Sequence, residues 1–180
     1  MAPTRDSLLH TCAAAALAGG AAVLMSACQF SIGGGLDYDK LERAITDELN
    51  RSYASIDQQV SGVECPEQSS RPGKGDTFDC TAQVGGQTVR VESTVTDDDY
   101  NVDFSTRDTL YELASTATTL SEELSNQLGF PVTVDCGDGL KAVEVGDTFD
   151  CTAADDTGAE RTVRITAAPA GENDSWELLE

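Results

Sequence analysis

The sequence predicts an α+β protein made of two tandem modules, each with one helix packed on a four-stranded antiparallel meander sheet and one disulfide. An identical octapeptide, Gly-Asp-Thr-Phe-Asp-Cys-Thr-Ala, occurs at residues 75–82 and 146–153 of this 180-residue chain. Each copy ends a cysteine interval of the same length, Cys65–Cys80 and Cys136–Cys151. In both halves helix-spaced apolar residues are followed by alternating apolar residues. A duplicated, disulfide-linked module explains all three observations.

The chain divides into four parts: a lipoprotein signal peptide (1–27), a lipidated cysteine with a Gly-rich tether (28–36), a first repeat (37–106) and a second repeat (107–180). The apolar run Leu8–Leu24 is too short to span a bilayer comfortably as a mature helix. It leads into Leu-Met-Ser-Ala-Cys28, which resembles a bacterial lipobox. By that resemblance Cys28 becomes the first mature residue and carries a diacylglyceryl group. Two acyl chains are enough for stable anchoring.

The remaining cysteines predict an oxidising compartment. Cys12 lies in the signal segment and Cys28 takes the lipid, which leaves four cysteines and three pairings. The duplication selects Cys65–Cys80 and Cys136–Cys151, because each module must have been stable before it was copied. Closing a loop of this length contributes about 3 kcal/mol in the chain-entropy model. We therefore expect an exported protein anchored by lipid to the outer face of the cytoplasmic membrane.

The charge and the histidine content exclude several classes of function. The formal net charge is −21, and such a surface repels nucleic acid and anionic headgroups. The only histidine, His10, lies in the signal segment, so a zinc site and a histidine-assisted nucleophile are not expected. No phosphate-binding glycine loop is present. The sequence predicts no enzyme activity, no metal and no cofactor.

The first repeat begins with a helix from Asp37 to about Tyr53, whose apolar residues recur at helical spacing (Tyr38, Leu41, Ile45 and Leu49). Asp39 and Glu42 form a capping signature at its start. Apolar alternation then predicts strands near Val60 and Val63, and at Thr77–Val84, Gln87–Thr96 and Asn101–Ser105. The polar segment Pro66–Gly75 is expected to be a loop.

The second repeat is predicted in the same order. A helix starts at Asp108 or Thr109, with Glu112 completing a capping box, and stops at Gly129. Its apolar stripe comprises Leu110, Leu113, Ala117, Leu120, Leu124 and Leu128. A first strand is predicted at Val132–Val134, and a loop follows it at Gly137–Gly146. Further strands are predicted at Thr148–Ala153, at Arg161–Ala167 and around Trp176–Leu178. We expect Phe78 and Phe149 in the two cores, and the modules docked through the second helix.

Two acidic strings are interpreted as turns. Asp156-Thr157-Gly158 matches the catalytic triplet of aspartic proteases, but that chemistry needs two such loops sharing a proton. Asp97-Asp98-Asp99 offers oxygens to calcium, but it lacks the glycine and the spaced carboxylates of a dedicated loop. Both strings lie where hairpin tips are predicted.

The residues shared by the two repeats, and their spacing, also resemble a known family. Val134-x-Cys136, a loop, Gly146-Asp-Thr-Phe-Asp-Cys-Thr-Ala153 and then Gly158 are similar to the actinobacterial domain of unknown function 4333. The first copy matches with Val63-Glu-Cys65-Pro and residues 75–82. The resemblance implies exported, often lipid-anchored envelope proteins. It implies no activity and carries no catalytic residue to this chain.

The anchor, the short tether, the small tandem modules and the missing catalytic residues favour a non-enzymatic envelope lipoprotein. Its partner would be an envelope protein or a cell-wall component, with the lipid bilayer contacted through Cys28. Two alternatives stay open. One is a secreted-enzyme inhibitor, because tandem helix-plus-sheet modules are also the plan of the β-lactamase inhibitor proteins. The other is a carrier of small apolar ligands between helix and sheet.

Overall fold

The computed structural model describes residues 35–67 and 70–179. The signal peptide, Cys28 and residues 29–34 of the tether lie outside the described residues, so their predictions stay predictions. The described part contains two four-stranded antiparallel sheets, one two-stranded ribbon and two α-helices. None of the described helices is long and apolar enough to cross a bilayer.

The first repeat has the predicted order of elements. Helix α1 (Tyr38–Ser52) is followed by a 3₁₀ turn (Tyr53–Ile56) and by strands β1 (Val60–Glu64), β2 (Thr77–Val84), β3 (Gln87–Val95) and β4 (Val102–Thr106). The strands form a sheet in the order β1-β2-β3-β4, which is the predicted meander. Leu41, Ile45 and Leu49 are buried, as the helical spacing predicts. The capping residue differs from the prediction: the Asp37 carboxylate, rather than Asp39, accepts from the Lys40 backbone nitrogen (3.1 Å).

The second repeat adds two strands to this plan. It comprises β5 (Asp108–Glu112), α2 (Leu113–Leu128), β6 (Val132–Asp135), β7 (Leu140–Glu144), β8 (Thr148–Asp155), β9 (Glu160–Thr166) and β10 (Ser175–Leu178). Strands β6, β8, β9 and β10 pair antiparallel in chain order and match the predicted four-stranded meander. Strands β5 and β7 leave this sheet and pair with each other; we call them the β5–β7 ribbon.

The predicted start of the second helix is therefore wrong. Residues 108–112 are a strand, and α2 begins at Leu113. Glu112 is the capping residue, and its carboxylate accepts from the backbone nitrogens of Ala114 and Ser115. The extended conformation prevails because Leu110 and Tyr111 are both buried although they point to opposite sides of the strand. Leu110 belongs to the first core and Tyr111 to the second.

The predicted loop at Gly137–Gly146 is also corrected, because it contains β7. In this strand Leu140 and Ala142 pack against the first core, and Val143 on the other face is buried in the second core. The same stretch of the first repeat, 71 positions earlier, contains Pro72 and Gly73. Proline cannot donate a hydrogen bond to a neighbouring strand, so the first repeat keeps its loop there.

Both predicted disulfides are present, Cys65–Cys80 and Cys136–Cys151. Each joins the residue just after the first strand of a sheet to the neighbouring strand, β2 or β8. Phe78 and Phe149 are buried beside them, as predicted. Phe149 packs on Tyr111 with ring centroids 4.8 Å apart.

The two modules meet through the β5–β7 ribbon and not through α2. Leu110 is part of the hydrophobic core of the first repeat, and Leu140 and Ala142 pack against that core. The buried residues of α2, by contrast, belong to the core of the second repeat. The ribbon of the second repeat therefore completes the core of the first.

Candidate functional site

A cluster of five charged side chains fixes the ribbon to the first sheet. Asp108, the first residue of β5, accepts three hydrogen bonds from Arg90 of β3: one from the backbone nitrogen (2.7 Å), one from Nε (3.0 Å) and one from Nη2. Glu144 of β7 pairs with Arg90 (3.0 Å) and with Arg107 (3.1 Å). Arg107 also reaches Asp79 of β2 (3.1 Å). Charges of opposite sign therefore alternate across the junction of the two repeats.

The protonation of this cluster is set by the arginines. Burial raises the pKa of Asp108, but the hydrogen bonds from Arg90 and the charges of Arg90 and Arg107 outweigh it, so the net pKa lies below its usual range. Hydrogen bonds and charge from Arg90 likewise lower the pKa of Glu144. Both carboxyls are ionised at neutral pH. We therefore interpret this cluster as a structural link between the repeats and not as a binding site, because each charged group is already paired with one of opposite sign.

The apolar side of the junction is equally close. Leu140 lies over the β2–β3 turn, where a Cβ built on Gly85 would fall 2.2 Å from its Cδ1 atom. The backbone nitrogen of Ala142 donates to Oε1 of Gln87 (3.3 Å). Glycine at 85 is thus required both by this contact and by its positive φ of 52°.

The candidate binding site lies in the second repeat, between α2 and strands β9 and β10. Two cavities open there, beside successive turns of the helix. The first, which we call the polar cavity, has a volume of about 570 Å³. Its lining residues are Ser115, Thr116, Thr119, Leu120, Glu123, Ile165, Glu172, Asn173, Asp174 and Trp176.

Two carboxylates that line this cavity, Asp174 and Glu123, accept hydrogen bonds from neighbouring groups. The Tyr111 hydroxyl donates to Oδ1 of Asp174 (2.7 Å), which also accepts from the backbone nitrogen of Ala168 (2.9 Å). Burial, followed by this hydrogen bond and the Asp174 charge, raises the pKa of Tyr111, so the phenol stays neutral. Nε1 of Trp176 donates to Oε2 of Glu123 (3.0 Å) and ties β10 to α2. These contacts hold the wall of the cavity in place.

The second cavity, which we call the apolar cavity, lies at the C-terminal end of α2 and has a volume of about 350 Å³. Its lining residues are Leu124, Leu128, Phe130, Val132, Ala153, Ala154, Asp155, Ala159, Arg161 and Leu178. Leu128 and Phe130 are 41% and 45% exposed and are the most exposed large apolar side chains of the described residues. Exposed apolar groups grouped around a cavity are typical of a binding surface.

Within residues 35–67 and 70–179 no group of three or more His, Cys, Asp or Glu side chains could hold a metal ion. The acidic strings are turns, as predicted. Asp97 accepts from the backbone nitrogens of Asp99 and Asn101 (3.0 Å each), and the carboxylate of Asp155 accepts from Thr157 and Ala159 at the tip of the β8–β9 hairpin.

The site was missed in the sequence because its residues carry ordinary core signals. The helical spacing places Leu128 on the apolar stripe of the second helix, and no sequence pattern includes Phe130. The structure leaves both exposed because α2 ends at Leu128 and Gly129 turns the chain away with a φ of 79°. A leucine and a phenylalanine on either side of a helix-stopping glycine are the one signal that pointed to this surface.

The fold and the paired cysteines define a disulfide-linked α+β protein built from two repeats. The polar and apolar cavities together form one groove along α2 in the second repeat, which we call the groove. A family model, Domain of unknown function (DUF4333), matches residues 20–99 and again residues 106–170. These matches cover most of the chain, which therefore belongs to this family and carries two tandem copies of its domain. Searches of curated proteins and of solved structures gave no significant match.

Proposed function

We propose that this protein is a membrane-anchored extracytoplasmic lipoprotein that binds an envelope protein or a cell-wall component without catalysing a reaction. The lipobox-like segment before Cys28 supports the anchor, and the first family match, which begins at residue 20, includes it. The disulfides in both repeats support an oxidising, extracytoplasmic compartment. The acidic surface keeps the domain in solution beside the anionic membrane to which it is tethered.

The observation that carries the proposal is the exposure of Leu128 and Phe130 around the apolar cavity. Exposing two large apolar side chains to water is unfavourable, and it does nothing for the solubility of a chain with a net charge of −21. Contact with a partner would account for their exposure. Each side chain is already more than half buried, so a partner that covered its exposed 41% or 45% would add about 1 kcal/mol.

Charge and geometry support a binding role rather than catalysis. The polar cavity is lined by the hydroxyls of Ser115, Thr116 and Thr119 and by three carboxylates, Glu123, Glu172 and Asp174. Glu123 and Asp174 accept hydrogen bonds from Trp176 and Tyr111. A serine or threonine nucleophile needs an adjacent base, and the described residues contain no histidine. The groove is suited to recognise a surface.

Carriage of a small apolar ligand is the second candidate. The apolar cavity, at about 350 Å³, falls in the size range of small-molecule sites. It lies between helix and sheet, as the sequence-based alternative supposed. Native mass spectrometry of the purified protein tests this candidate, because a carried ligand would appear as an added mass that Phe130→Ser removes.

Crosslinking of the anchored protein in its own cells, followed by mass spectrometry, tests the main proposal. The matched control is Cys28→Ser, which keeps the folded modules and removes the anchor. A partner recovered with the native chain and lost with Cys28→Ser is the expected result. Equal recovery from both forms would contradict the role of the anchor, and an empty result from both would contradict the binding role.

A further inference from the structure

The two repeats can be compared position by position through their strand pairing. Val132 pairs with Asp155 in the second sheet, as Val60 pairs with Val84 in the first. Ala153 corresponds in the same way to Ala82. Leu124, in the cavity wall, lies 71 positions after Tyr53 of the first repeat. The apolar cavity thus occupies the place that Tyr53, Val60 and Val84 surround in the first repeat.

In the first repeat this place is covered by the β5–β7 ribbon. Tyr53, Val84 and Leu110 belong to one buried cluster, against which Leu140 packs from above the β2–β3 turn. Val84 is fully buried. The same chain therefore shows what kind of structure closes this end of a module: a two-stranded ribbon that presents leucines to the core.

In the second repeat the equivalent end is open. The described residues place no ribbon there, and Leu128 and Phe130 surround the apolar cavity instead. The β8–β9 turn at its rim is longer than the β2–β3 turn, as the two pairing registers show: Val84 pairs directly with Gln87, and Ala154 with Glu160. The opening therefore lies between the end of α2 and this turn.

The cation at this surface differs from the one that anchors the ribbon. Thr-Val-Arg occurs at residues 88–90 and 162–164, but the strand pairing is shifted: Arg90 pairs with Thr81, whereas Arg164 pairs with Asp150, the counterpart of Asp79. Arg90 holds two carboxylates, Asp108 and Glu144. Arg164 forms its ion pair with Asp150 and does not line the apolar cavity. Arg161 does line the cavity, so it is the cation that can bind a carboxylate at the start of a docked ribbon.

We propose that the apolar cavity of the second repeat docks a two-stranded β-ribbon from another protein. This ribbon resembles β5–β7: it has leucine-sized residues at alternate positions of one face and an acidic residue at its start. The inference rests on the proposed binding function and names its partner by this chemistry. A second copy of this chain is a poor occupant, because its own ribbon is already docked and two chains of charge −21 repel each other.

The test uses a cyclised hairpin peptide made of residues 107–112 and 140–145. A short Asn-Gly turn can join the two segments, because Glu112 and Leu140 are paired at one end of the ribbon. Cyclisation is needed because an isolated hairpin is marginally stable in water. Binding to the full-length Cys28→Ser chain is followed by calorimetry, and the site is mapped by NMR shifts at Leu128, Phe130 and Ala154.

The hairpin is expected to bind, and Leu128→Ser with Phe130→Ser should weaken binding at least about tenfold, since each side chain loses an apolar contact. Asn126→Ser, an exposed change on the same helix, is the matched control and should leave affinity unchanged. A hairpin that carries Leu110→Asp should not bind. Ala159→Trp fills the cavity mouth from an exposed position and gives the same loss by a second route.

The inference would be overturned by no binding of the hairpin, by binding that both cavity variants leave unchanged, or by self-association of the chain that Phe130→Ser abolishes. A bound fatty acid or detergent that the hairpin cannot displace would do the same. If the hairpin does not bind but crosslinking in cells still recovers a partner, only the proposal of a docked ribbon is rejected. If both experiments fail, the proposed binding function is rejected as well.

Discussion

Asp108 of the second repeat is bound by Arg90 of the first through the backbone nitrogen and both ends of the guanidinium group. Asp108 is only 5% exposed, so this contact is a buried link between the two repeats. It holds the β5–β7 ribbon in the position where Leu110 enters the first core. The first repeat is therefore completed by a ribbon of the second, although their sequences repeat.

Asp108→Asn should lower the free energy of unfolding by about 2 kcal/mol, because it removes charge-assisted hydrogen bonds to a buried group. Urea denaturation measures the change. Asp150→Asn is the matched control, since Asp150 also accepts two hydrogen bonds from an arginine, Arg164, but at an exposed site. Its effect should be much smaller, as for other exposed ion pairs. Equal effects would show that the Asp108 contact is not a buried link.

Gly85→Ala should displace the ribbon, because the new Cβ would collide with Leu140 and the backbone has a positive φ. We expect a loss of about 2–4 kcal/mol, from overpacking and backbone strain together. Gly86→Ala is the control: its φ is also positive, at 82°, but nothing lies within 4 Å of its Cβ position. It should lose only the strain contribution, about 1 kcal/mol. Leu140→Ala combined with Gly85→Ala should recover part of the loss if the collision is the cause.

Stability should fall in acid because of the ribbon contacts. The folded pKa of Asp108 is depressed, so its contribution is present above the unfolded value of about 3.9 and is lost as the pH falls through the folded pKa. The stability difference between the native chain and Asp108→Asn should be constant from about pH 5 to 8 and shrink below about pH 4. Urea titrations at each pH measure it. A difference that stays the same from pH 5 down to pH 2 would contradict the assignment.

Stability should also fall in alkali because of Tyr53. Burial, and then the charge of Asp108, raise the pKa of Tyr53 to about 12. The unfolded value is about 10, so the neutral phenol stabilises the fold below about pH 10 and this contribution is lost as the pH rises toward the folded pKa. Tyr53→Phe should lose less stability than the native chain between pH 10 and 12. Identical alkaline slopes for the two proteins would show that Tyr53 is not the responsible group.

The second disulfide should matter to both repeats. Strand β7 lies inside the loop closed by Cys136–Cys151, and the ribbon it forms completes the first core. Cys136→Ser with Cys151→Ser should cost about 3 kcal/mol and also speed hydrogen exchange at Val84 and Val89 in the first repeat. The mirror pair, Cys65→Ser with Cys80→Ser, should leave exchange in β8 and β9 nearly unchanged. Symmetric effects would contradict the one-way dependence.

Much of this fold could be predicted from the sequence because the duplicated octapeptide fixes the register of both repeats. Helix α1, strands β2 and β8, both disulfides and the buried Phe78 and Phe149 follow from local periodicity and from the repeat. The first residues of the second repeat could not be predicted in the same way. Leu110 and Leu113 fit a helical stripe, but Leu110 is buried by another module, which local spacing cannot show.

The candidate site could not be predicted because the leucine stripe of α2 does not say how far the sheet extends beneath it. Leu120 and Leu124 are buried, whereas Leu128 continues the same stripe and is exposed. Whether the end of the stripe is covered depends on the length of the β8–β9 turn and on the position of the β5–β7 ribbon. The ribbon packs on the first repeat and therefore leaves Leu128 exposed. A pattern within one helix carries no information about either.

Photo-crosslinking from position 130 in living cells tests the central claim most directly, which is that the groove of the second repeat is the binding surface of an anchored protein. A photoreactive amino acid replaces Phe130, and in the matched control it replaces Asn126, an exposed residue one turn away on α2 that does not line the apolar cavity. The account predicts a discrete adduct from position 130, absent from position 126 and lost with Cys28→Ser. An adduct from both positions, or from neither, would contradict it.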